Sequence, residues 1–593
     1  MSLHALCLLG AVDGAGAAGE KAGAIVLALL AAGAVLARPP LLGPRLRAAA
    51  MLGALLLTPV LLAIDIWHTT PMQHLRHHPP LAIGAVVLGV AVVGALAWVF
   101  HRWREAFPLA AVFTLPFRLP ISSAGSTANL LVPLYLVVAG AALAHLLPRL
   151  LRGAEETGPP GQPDQGCAAG GGGAAGESDA DGALSGDAEA GSLPRRLLVS
   201  LSSRAALEWL LIASVLLYAI QAAYSPGFSK ALQNLVFFYV PFALLFRLLL
   251  EVRWTGRLLR RCVGVSIGLA IVFAGVGFVE YQRKALFLNP KIVAANVYDN
   301  YFRVNSVFFD PNIYGRFLVL VMLLLAAAVL FSAKRRRDAL LGALMLAWLW
   351  AGLITSFSQS SIVALLVGLA VLAAWRWRAR YTILAAAAVL AAGVVFLIAA
   401  PSSLHFGVKG SGGSLNNATS GRAKLVSGGL KLFSERPLAG YGSGSFSDEY
   451  RDHQVASVAS ATSASHTIPI TVAAEQGVIG LLLYGALLIA CFANLWPGTI
   501  GRGAWARFAP GAGRAPPGGP RSAARIAILA CFAALVLHTM AYADFLEDPV
   551  TWTLLAVGVA LAAAPRRESS ATGEPPTTAA APVAATVRPA AAD

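Results

Sequence analysis

Residues 467–495 read TIPITVAAEQGVIGLLLYGALLIACFANL, and Glu475 is the single charged side chain in this stretch. A helix needs about 20 consecutive, mostly apolar residues to cross the hydrocarbon core of a bilayer. The stretch therefore predicts a membrane-spanning helix that carries one carboxylate. The residues directly before it, about 401–466, are polar and rich in glycine and serine, so a long hydrophilic loop leads into this apolar helix.

Apolar segments of similar length recur along the whole chain, which has 593 residues, 57% of them hydrophobic and 12% charged. They lie near residues 22–37, 47–66, 81–100, 106–118, 129–148, 205–223, 231–250, 258–280, 313–332, 338–356, 361–375, 381–400, 467–495, 523–543 and 548–564. We predict an all-α, polytopic integral membrane protein with about 12–15 transmembrane helices and one large extracytoplasmic loop. The segment at 106–118 is short and contains Pro108 and Pro116, so it is either a re-entrant segment or a short crossing.

The basic residues predict the orientation of the chain in the membrane. The formal net charge is +16, and lysine and arginine crowd alternate short loops between the apolar segments. This placement is typical of membrane orientation and not of nucleic-acid binding, because short loops rich in lysine and arginine stay in the cytoplasm. If the segment 106–118 counts as one crossing, the rule places the N-terminus outside, the C-terminus inside, and residues 281–312 and 401–466 on the outer face. We expect a multi-pass protein of the bacterial cytoplasmic membrane whose active site faces outward.

Composition divides the chain into four regions. Residues 1–150 are predicted N-terminal transmembrane helices, 151–204 a disordered cytoplasmic linker, 205–565 the main transmembrane domain with its loop 401–466, and 566–593 a disordered cytoplasmic tail. The linker and the tail have few large apolar residues and cannot bury a core, which predicts their disorder. The five cysteines lack metal-ligand spacing, so neither a zinc site nor a disulfide framework is predicted.

The first outer loop ends in a polar motif at the start of an apolar segment. Asp310-Pro311-Asn312 is a turn sequence that predicts a helix start. Arg303 precedes it, and the fork of N–H donors on arginine suits phosphate oxygens. The alternative for Arg303 is pairing with lipid headgroups.

The second outer loop contains a predicted amphipathic helix. Leu425, Leu432 and Phe433 recur at helical spacing, with Lys424 offset from them. Such a pattern indicates a helix lying on the membrane surface. Arg422 would lie near its N-terminus, where backbone N–H groups also favour an anion.

Further along this loop, Arg436 precedes three alternating glycines, Gly440, Gly442 and Gly444. Their spacing is similar to that of a nucleotide-binding loop. No strand precedes them and no lysine follows, so nucleotide binding is not predicted. Lys424 and Arg436 are weaker candidates for an anion contact than Arg303 and Arg422.

His466 is the candidate general base. It stands at the end of the polar loop, directly before the apolar helix that contains Gly477 and Gly480. An ionisable residue at the edge of a membrane is a functional candidate because holding it there is costly. Glu475 lies about two turns further on and is either a buried partner or part of a packing face. His453 is the competing histidine of the same loop.

Three other polar groups lie on the predicted outer side. Residues 355–361 read TSFSQSS and include Ser358, which could contact sugar hydroxyls or satisfy a helix end. Asp544, Glu547 and Asp548 form an acidic turn before the last apolar segment. Four histidines crowd an earlier outer loop, as either a metal site or a titrating surface cluster: His68, His74, His77 and His78.

Taken in order, these motifs resemble the O-antigen ligase family and the related O-antigen polymerases. The resemblance covers about residues 205–565. It is carried by the stretch 303–312, the serine-rich turn and helix 355–368, the loop motifs 421–422 and 436–442, and His466-Thr467 followed after nine residues by Gly477-x-x-Gly480. Leu425, Gln359 and Thr467 differ from the residues common at those positions, which leaves the choice between ligase and polymerase open.

The resemblance implies a GT-C-like membrane glycosyltransferase. We predict that it inverts the anomeric centre by a single displacement. The donor would be a glycan on undecaprenyl diphosphate and the acceptor a hydroxyl of another glycan or glycolipid, with no nucleotide cofactor and no metal. His466 would be the general base, and Arg303 and Arg422 would stabilise the diphosphate leaving group. The candidates for substrate binding are Lys424, Arg436, Asn312, Ser358 and Glu475.

Three other functions remain open. A polymerase of the same superfamily would join repeat units instead of capping an acceptor. A transporter or flippase of lipid-linked sugars would show internal repeats and charges at mid-membrane, whereas this chain gathers its polar groups in one large loop. The third is a membrane scaffold without catalytic activity.

Overall fold

The computed structural model describes residues 3–36, 44–65, 73, 77–123, 126–151, 200–288, 302–332, 335–377, 422–453, 467–497, 520–542 and 544–563. Residues 152–199 of the predicted linker, the predicted tail, the predicted apolar segment at 381–400, His68, His74 and His466 lie outside these residues. Within them, the regular secondary structure is helical apart from one β-hairpin.

The N-terminal region contains long helices and the hairpin. The elements are α1 (Leu3–Leu36), α2 (Pro44–Asp65), α3 (Pro79–Arg102), α4 (Ala106–Thr114), β1 (Leu119–Ser123), β2 (Ser126–Leu130) and α5 (Val132–Leu151). The two strands are antiparallel, with Leu119 opposite Leu130. At 1.5 Å per residue α4 is only about 14 Å long, too short to span a bilayer. The predicted segment 106–118 is therefore a short helix that leads into a hairpin, and it does not cross as a helix by itself. The predicted orientation required one crossing here, so the outer placement of residues 281–312 and 401–466 stays a prediction.

Most of the remaining helices follow the predicted apolar segments. They are α6 (Arg204–Ala222), α7 (Phe228–Asn234), a π-helical turn (Leu235–Tyr239), α8 (Val240–Leu250), α9 (Gly256–Arg283), α10 (Pro311–Ser332), α11 (Arg336–Thr355), α12 (Gln359–Arg376), α13 (Arg422–Glu435), α14 (Phe446–His453), α15 (Ile468–Leu495), α16 (Pro520–Ala541) and α17 (Pro549–Ala563). The π turn joins α7 and α8 into one apolar segment, Phe228–Leu250. Single π turns inside α-helices occur frequently at functional sites.

Aspartate followed by proline starts two of these helices. Asp310 Oδ1 accepts a hydrogen bond from the N–H of Asn312 at 2.6 Å, and Asp548 Oδ1 accepts one from the N–H of Val550 at 2.9 Å. The proline that follows each aspartate lacks an N–H, which is no loss in the first helical turn. The predicted helix start at Asp310-Pro311-Asn312 is confirmed.

Eleven helices among the described residues are long and apolar enough to cross a membrane, and two shorter apolar helices accompany them. The predicted all-α, polytopic membrane architecture is confirmed, with the hairpin as an unpredicted addition. Burial separates central spans from peripheral ones. Of the most apolar 18 residues of Phe228–Leu250, 89% are buried inside the protein. The corresponding share for Ala82–Arg102 is 6%. The α7–α8 segment is therefore central and α3 is peripheral.

Two buried apolar clusters hold the helices together. One joins α1, α2, α5, α6, α8, α15 and α17, and includes Phe246 and Trp552, whose rings lie 6.2 Å apart. The other joins α9, α10, α11 and α12 around Tyr314 and Leu318. Helix α16 contributes side chains to both clusters. The polar groups of the candidate site lie between α6, α7, α10, α15 and the turn that joins α16 to α17.

Candidate active site

Helix α15 is broken at Gly477, inside the predicted membrane-spanning stretch. Gly477 has φ 66° and ψ −161°, which lies outside the helical region, and the helix continues on both sides of it. The break comes about two and a half turns after the helix start at Ile468. Within a bilayer, the backbone N–H and C=O groups that such a break frees must find partners inside the protein.

Residues 437–442, here called the docked loop, supply those partners. A regular helix would pair the N–H groups of residues 478 and 479 with the carbonyls of residues 474 and 475. All four groups bond to the docked loop instead: Tyr441 N–H donates to Ala474 C=O (3.1 Å), Gly442 N–H to Glu475 C=O (2.8 Å), Val478 N–H to Pro437 C=O (2.8 Å) and Ile479 N–H to Leu438 C=O (3.5 Å). The loop thereby completes the hydrogen bonding of the broken helix.

Two glycines permit this close contact between backbones. A Cβ atom at Gly440 would come within 3.0 Å of the Glu475 carbonyl, and one at Gly477 within 3.0 Å of the Leu438 carbonyl. Both glycines also have positive φ angles, 67° and 66°, which residues with side chains rarely adopt. The glycine-rich run therefore packs against protein backbone, which explains these glycines without a nucleotide.

The end of α6 secures the docked loop from a second direction. Gln221 Nε2 donates to the carbonyls of Ala439 at 3.1 Å and Gln476 at 3.3 Å. The Tyr224 hydroxyl donates to the Ala439 carbonyl at 2.8 Å. Because Gln221 bonds to both the loop and α15, it links three segments at the break.

Glu475 anchors the chain that follows the docked loop. It is 7% exposed, and its two carboxylate oxygens accept hydrogen bonds from the N–H groups of Gly444 at 2.9 Å and Phe446 at 3.1 Å. Phe446 begins α14, so the carboxylate also faces the positive end of that helix. These contacts give Glu475 an anchoring role, while its part in substrate binding stays a prediction.

We expect Glu475→Ala to destabilise the protein more than Glu475→Gln. Alanine leaves two buried N–H groups without an acceptor, at a cost of about 1–3 kcal/mol each, whereas glutamine keeps one acceptor oxygen. Titration with SDS or urea in detergent micelles would measure the free energy of unfolding of both variants. Equal losses would contradict the anchoring role.

A cavity of about 400 Å³ lies beside α15. Its walls come from α6, the α7–α8 segment, the start of α10, α15 itself and the turn before α17. Along α15 the polar lining residues Thr471, Glu475 and Gln476 precede the break, together with Ile468 and Val472, whereas Gly480, Leu483, Tyr484 and Leu487 follow it. The cavity therefore has both polar and apolar lining residues along the helix, and its volume falls within the range of about 300–1,000 Å³ typical of small-molecule sites.

Charged side chains of both signs line this cavity. The described bases are Arg118 and Lys230, and the described acids are Asp310, Glu475, Asp544 and Glu547. The acids have protein partners: the Asn312 N–H for Asp310, the two loop N–H groups for Glu475, Arg316 for Asp544 and Asn234 Nδ2 for Glu547. Burial, followed by the negative charge of Asp544, raises the pKa of Glu547 and favours its neutral form.

Arg303 is held by a network of polar groups from three segments. Its Nε donates to the Ser356 carbonyl at 3.2 Å, and its Nη2 donates to Asn312 Oδ1 at 3.2 Å. Asn312 Oδ1 also accepts a hydrogen bond from Ser358 Oγ at 2.9 Å, and Ser358 Oγ lies 2.8 Å from Ser361 Oγ. The structure thus brings the predicted residues Arg303, Asn312 and Ser358 together.

The same network continues to His538 on α16. His538 Nε2 lies 3.2 Å from Ser361 Oγ and 3.3 Å from Ser360 Oγ, and the histidine is 1% exposed. Ser358 also caps α12 by accepting a hydrogen bond from the Ser361 N–H. The serine-rich turn therefore satisfies a helix end, which was one of its two predicted roles. It also connects α16 to Arg303.

Arg316 forms buried ion pairs with the acidic turn before α17. Its Nη1 lies 3.1 Å from Asp548 Oδ2, and its Nη2 lies 3.6 Å from Asp544 Oδ2. The side chains of Arg316 and Asp548 are only 3% and 6% exposed. These pairs tie the turn, which includes cavity-lining residues, to the start of α10.

The predicted helix of the second outer loop is confirmed as α13. Leu425 and Leu432 are buried, and the helix packs against α15. Its predicted placement on the membrane surface stays a prediction. The structure describes the backbone of Arg422 and Lys424 within this helix but not their side chains.

Arg436 and His453 have protein partners near Tyr441. The guanidinium of Arg436 is exposed and lies 4.4 Å from the centre of the Tyr441 ring. His453 Nε2 lies 3.1 Å from Glu435 Oε2, and its Nδ1 lies 2.8 Å from the Glu449 carbonyl oxygen. The hydrogen bond from Tyr441 and the charge of His453 lower the pKa of Glu435. Because both ring nitrogens of His453 have protein partners, it is a poor candidate for the general base.

Sequence reasoning missed Arg118, Lys230 and His538. Arg118 ends one predicted apolar segment and Lys230 precedes another, and such positions carry no signal until it is known which ends meet. For His538 the signal was available, because it is an ionisable side chain inside the apolar segment 523–543.

A family model described as O-antigen ligase matches residues 344–485. The matched region contains most of α11, the serine-rich turn, the docked loop, His466 and the helix break, and it leaves Arg303 outside. It lies within the predicted region 205–565 and covers less than half of the chain. No curated protein matches the chain.

Proposed function

We propose that this chain, a membrane glycosyltransferase with an O-antigen ligase family domain, moves a glycan from an undecaprenyl-diphosphate donor to a hydroxyl of an acceptor glycan or glycolipid. The reaction takes place on the outer face of the cytoplasmic membrane. The observation that carries the proposal is the family match over His466, the docked loop and the helix break. The cavity beside α15 supports it, because polar lining residues suit the head group of a lipid-linked substrate and apolar ones suit the start of its lipid chain.

His466 is the proposed general base. It accepts the proton of the acceptor hydroxyl as that oxygen bonds to the anomeric carbon of the donor. In the same step the bond between the anomeric carbon and the diphosphate oxygen breaks, so the anomeric centre is inverted. An imidazole with a pKa near neutrality suits this step, and general base catalysis typically contributes about 10²- to 10⁴-fold in rate.

Arg303 and Arg422 are proposed to stabilise the negative charge of the diphosphate as it leaves, without a metal. Fixed positive charge at a developing anion is usually the largest single contribution to catalysis. The hydrogen bonds from Arg303 to Ser356 and Asn312 hold its guanidinium in one orientation before a substrate binds. Lys424 and Arg436 are proposed as secondary contacts.

We expect His466→Ala to lower the rate of transfer by about 10²- to 10⁴-fold. The matched control is His453→Ala, because His453 precedes the same helix but both of its nitrogens bond to the protein. Arg422→Ala is expected to lose transfer too, with Lys431→Ala on the same helix as its control. Proteoliposomes with a lipid-diphosphate glycan donor, candidate acceptors and EDTA would be analysed by mass spectrometry of the products.

The product separates the related functions. One glycan added to the acceptor indicates a ligase, and a ladder of repeat units indicates a polymerase. Intact donor on the opposite side of the bilayer, with no new glycosidic bond, indicates a transporter and contradicts the proposal. Normal transfer by His466→Ala contradicts the role of that histidine, and transfer that EDTA abolishes contradicts metal independence.

A further inference from the structure

We infer that Arg118 and Lys230 form a binding site for the diphosphate of the lipid-linked substrate. The chemical identity of the ligand rests on the proposed function, which this inference deepens. Both cations line the cavity beside α15. Both lie outside residues 344–485, and neither belongs to the sequence motifs that suggested Arg303 and Arg422.

The position of Arg118 is fixed by its neighbours in the N-terminal region. It lies between α4 and β1, directly after Phe117. The Phe117 ring packs edge-on against Phe273 of α9, with ring centres 5.8 Å apart. The hairpin that follows ends at Leu130, which is 7% exposed and lines the same cavity. The first 150 residues therefore contribute a wall and a cation to the site.

The position of Lys230 is fixed by contacts of α7 with α2. Ser229 Oγ donates to Asp65 Oδ1 at 2.8 Å, and Gln233 Nε2 donates to Asp65 Oδ2 at 3.0 Å. These two residues flank Lys230 on the same short helix, one of them a single turn away. Lys230 itself is exposed, so its flexible side chain can reach into the cavity from the rim.

Four acids and two bases line the cavity, so the case for an anion rests on which of these groups have partners in the protein. The acids have donors in the protein, from Asn312 for Asp310, Gly444 and Phe446 for Glu475, Arg316 for Asp544 and Asn234 for Glu547. Among the described residues, Arg118 and Lys230 make no hydrogen bond or ion pair, and Lys230 lies near enough to Glu475 and Glu547 for its charge to act on both. An arginine fork can hold two phosphate oxygens at once, and a lysine adds a flexible point charge.

The apolar part of the cavity distinguishes a lipid diphosphate from a soluble one. Beyond the helix break Gly480, Leu483, Tyr484 and Leu487 of α15 line the cavity, and Phe237 and Phe238 contribute from the π turn. An isoprenoid chain beginning at the diphosphate would bury apolar surface against these side chains. A free diphosphate would leave this surface uncovered.

The test measures binding in a His466→Ala background reconstituted in nanodiscs, so that no turnover occurs. The probes are undecaprenyl diphosphate and undecaprenol, which share the lipid and differ in the phosphates. We expect Arg118→Gln and Lys230→Gln each to raise the Kd for the diphosphate by about tenfold to a hundredfold, the range for hydrogen bonds to charged groups. Binding of undecaprenol should not change, and Lys230→Arg should keep most of the affinity.

Two exposed cations outside the cavity provide matched controls. Lys431→Gln and Arg451→Gln should leave both dissociation constants unchanged, because these side chains are 62% and 55% exposed. An unchanged Kd for the diphosphate in both cavity variants would overturn the inference. An equal loss of undecaprenol binding would also overturn it, since the substitutions would then act on the fold. Competition by inorganic diphosphate as strong as that by the lipid would overturn the lipid assignment.

Failure of the proposed function would be seen separately. If the wild-type protein forms no glycosidic bond with any acceptor, but the Arg118 and Lys230 variants lose diphosphate binding, the binding site stands and the transferase does not. If transfer occurs and diphosphate binding is independent of both cations, the transferase function stands and the binding site does not.

Discussion

Gly477→Ala is expected to destabilise the protein by more than about 3 kcal/mol and to abolish transfer. The backbone at Gly477, with φ 66° and ψ −161°, lies in a region essentially restricted to glycine, where other residues cost about 1–3 kcal/mol. The new methyl group would also come within 3.0 Å of the Leu438 carbonyl. The docked loop would have to move away, and each backbone group left unpaired in the membrane costs several kcal/mol more.

Gly485→Ala is the matched control in the same helix. A Cβ atom at Gly485 meets nothing within 4 Å, and alanine is a better helix former than glycine by about 0.5–1 kcal/mol. This variant should be as stable as the wild type or more so. Titration with SDS in micelles gives both stabilities, and proteolysis at residues 437–442 reports whether the docked loop is released. A Gly477→Ala protein with wild-type stability and a protected loop would show that the break is not required.

Arg316→Met is expected to lower the free energy of unfolding by about 3–5 kcal/mol, the usual result of breaking a buried ion pair from one side. Methionine fills similar space but leaves Asp548, whose side chain is 6% exposed, as a buried charge without its main partner. Asp544 loses a partner as well. Because Asp544 lines the cavity, the loss should extend to substrate binding.

A second substitution tests this explanation. Asp548→Asn removes the charge but keeps an oxygen that can accept the hydrogen bond from the Val550 N–H, and asparagine is a good helix cap. The double variant Arg316→Met/Asp548→Asn should therefore recover a large part of the lost stability. Chemical unfolding of the wild type, both single variants and the double variant completes the cycle. Strictly additive losses would mean that the ion pair is not the source of the effect.

The helices could be predicted from the sequence because their signals are local. Apolar length predicted most spans, and the spacing of Leu425 and Leu432 predicted α13. The order Asp310-Pro311-Asn312 predicted the start of α10. The hairpin at residues 119–130 was not predicted, because its strands are short and polar and follow a broken apolar segment.

The site was less predictable because its contacts join distant residues. Residues 437–442 and 474–479 pair through their backbones, so glycine is the only residue type that marks the contact in the sequence. Arg303 and Ser358 were candidates from their local motifs, the family resemblance added Asn312, and the structure places all three in one network. The convergence of Arg118 and Lys230 depends on how α4 and α7 pack, and no local pattern contains that information.

The docked loop precedes its partner helix in the chain, which has a consequence for biosynthesis. The ribosome makes residues 437–442 before residues 474–479, so the loop already exists when α15 emerges. A broken helix that entered lipid alone would carry four unpaired backbone groups. Stable insertion of α15 therefore requires the loop to pair with it at the same time, which couples the maturation of this site to the membrane integration of the helix.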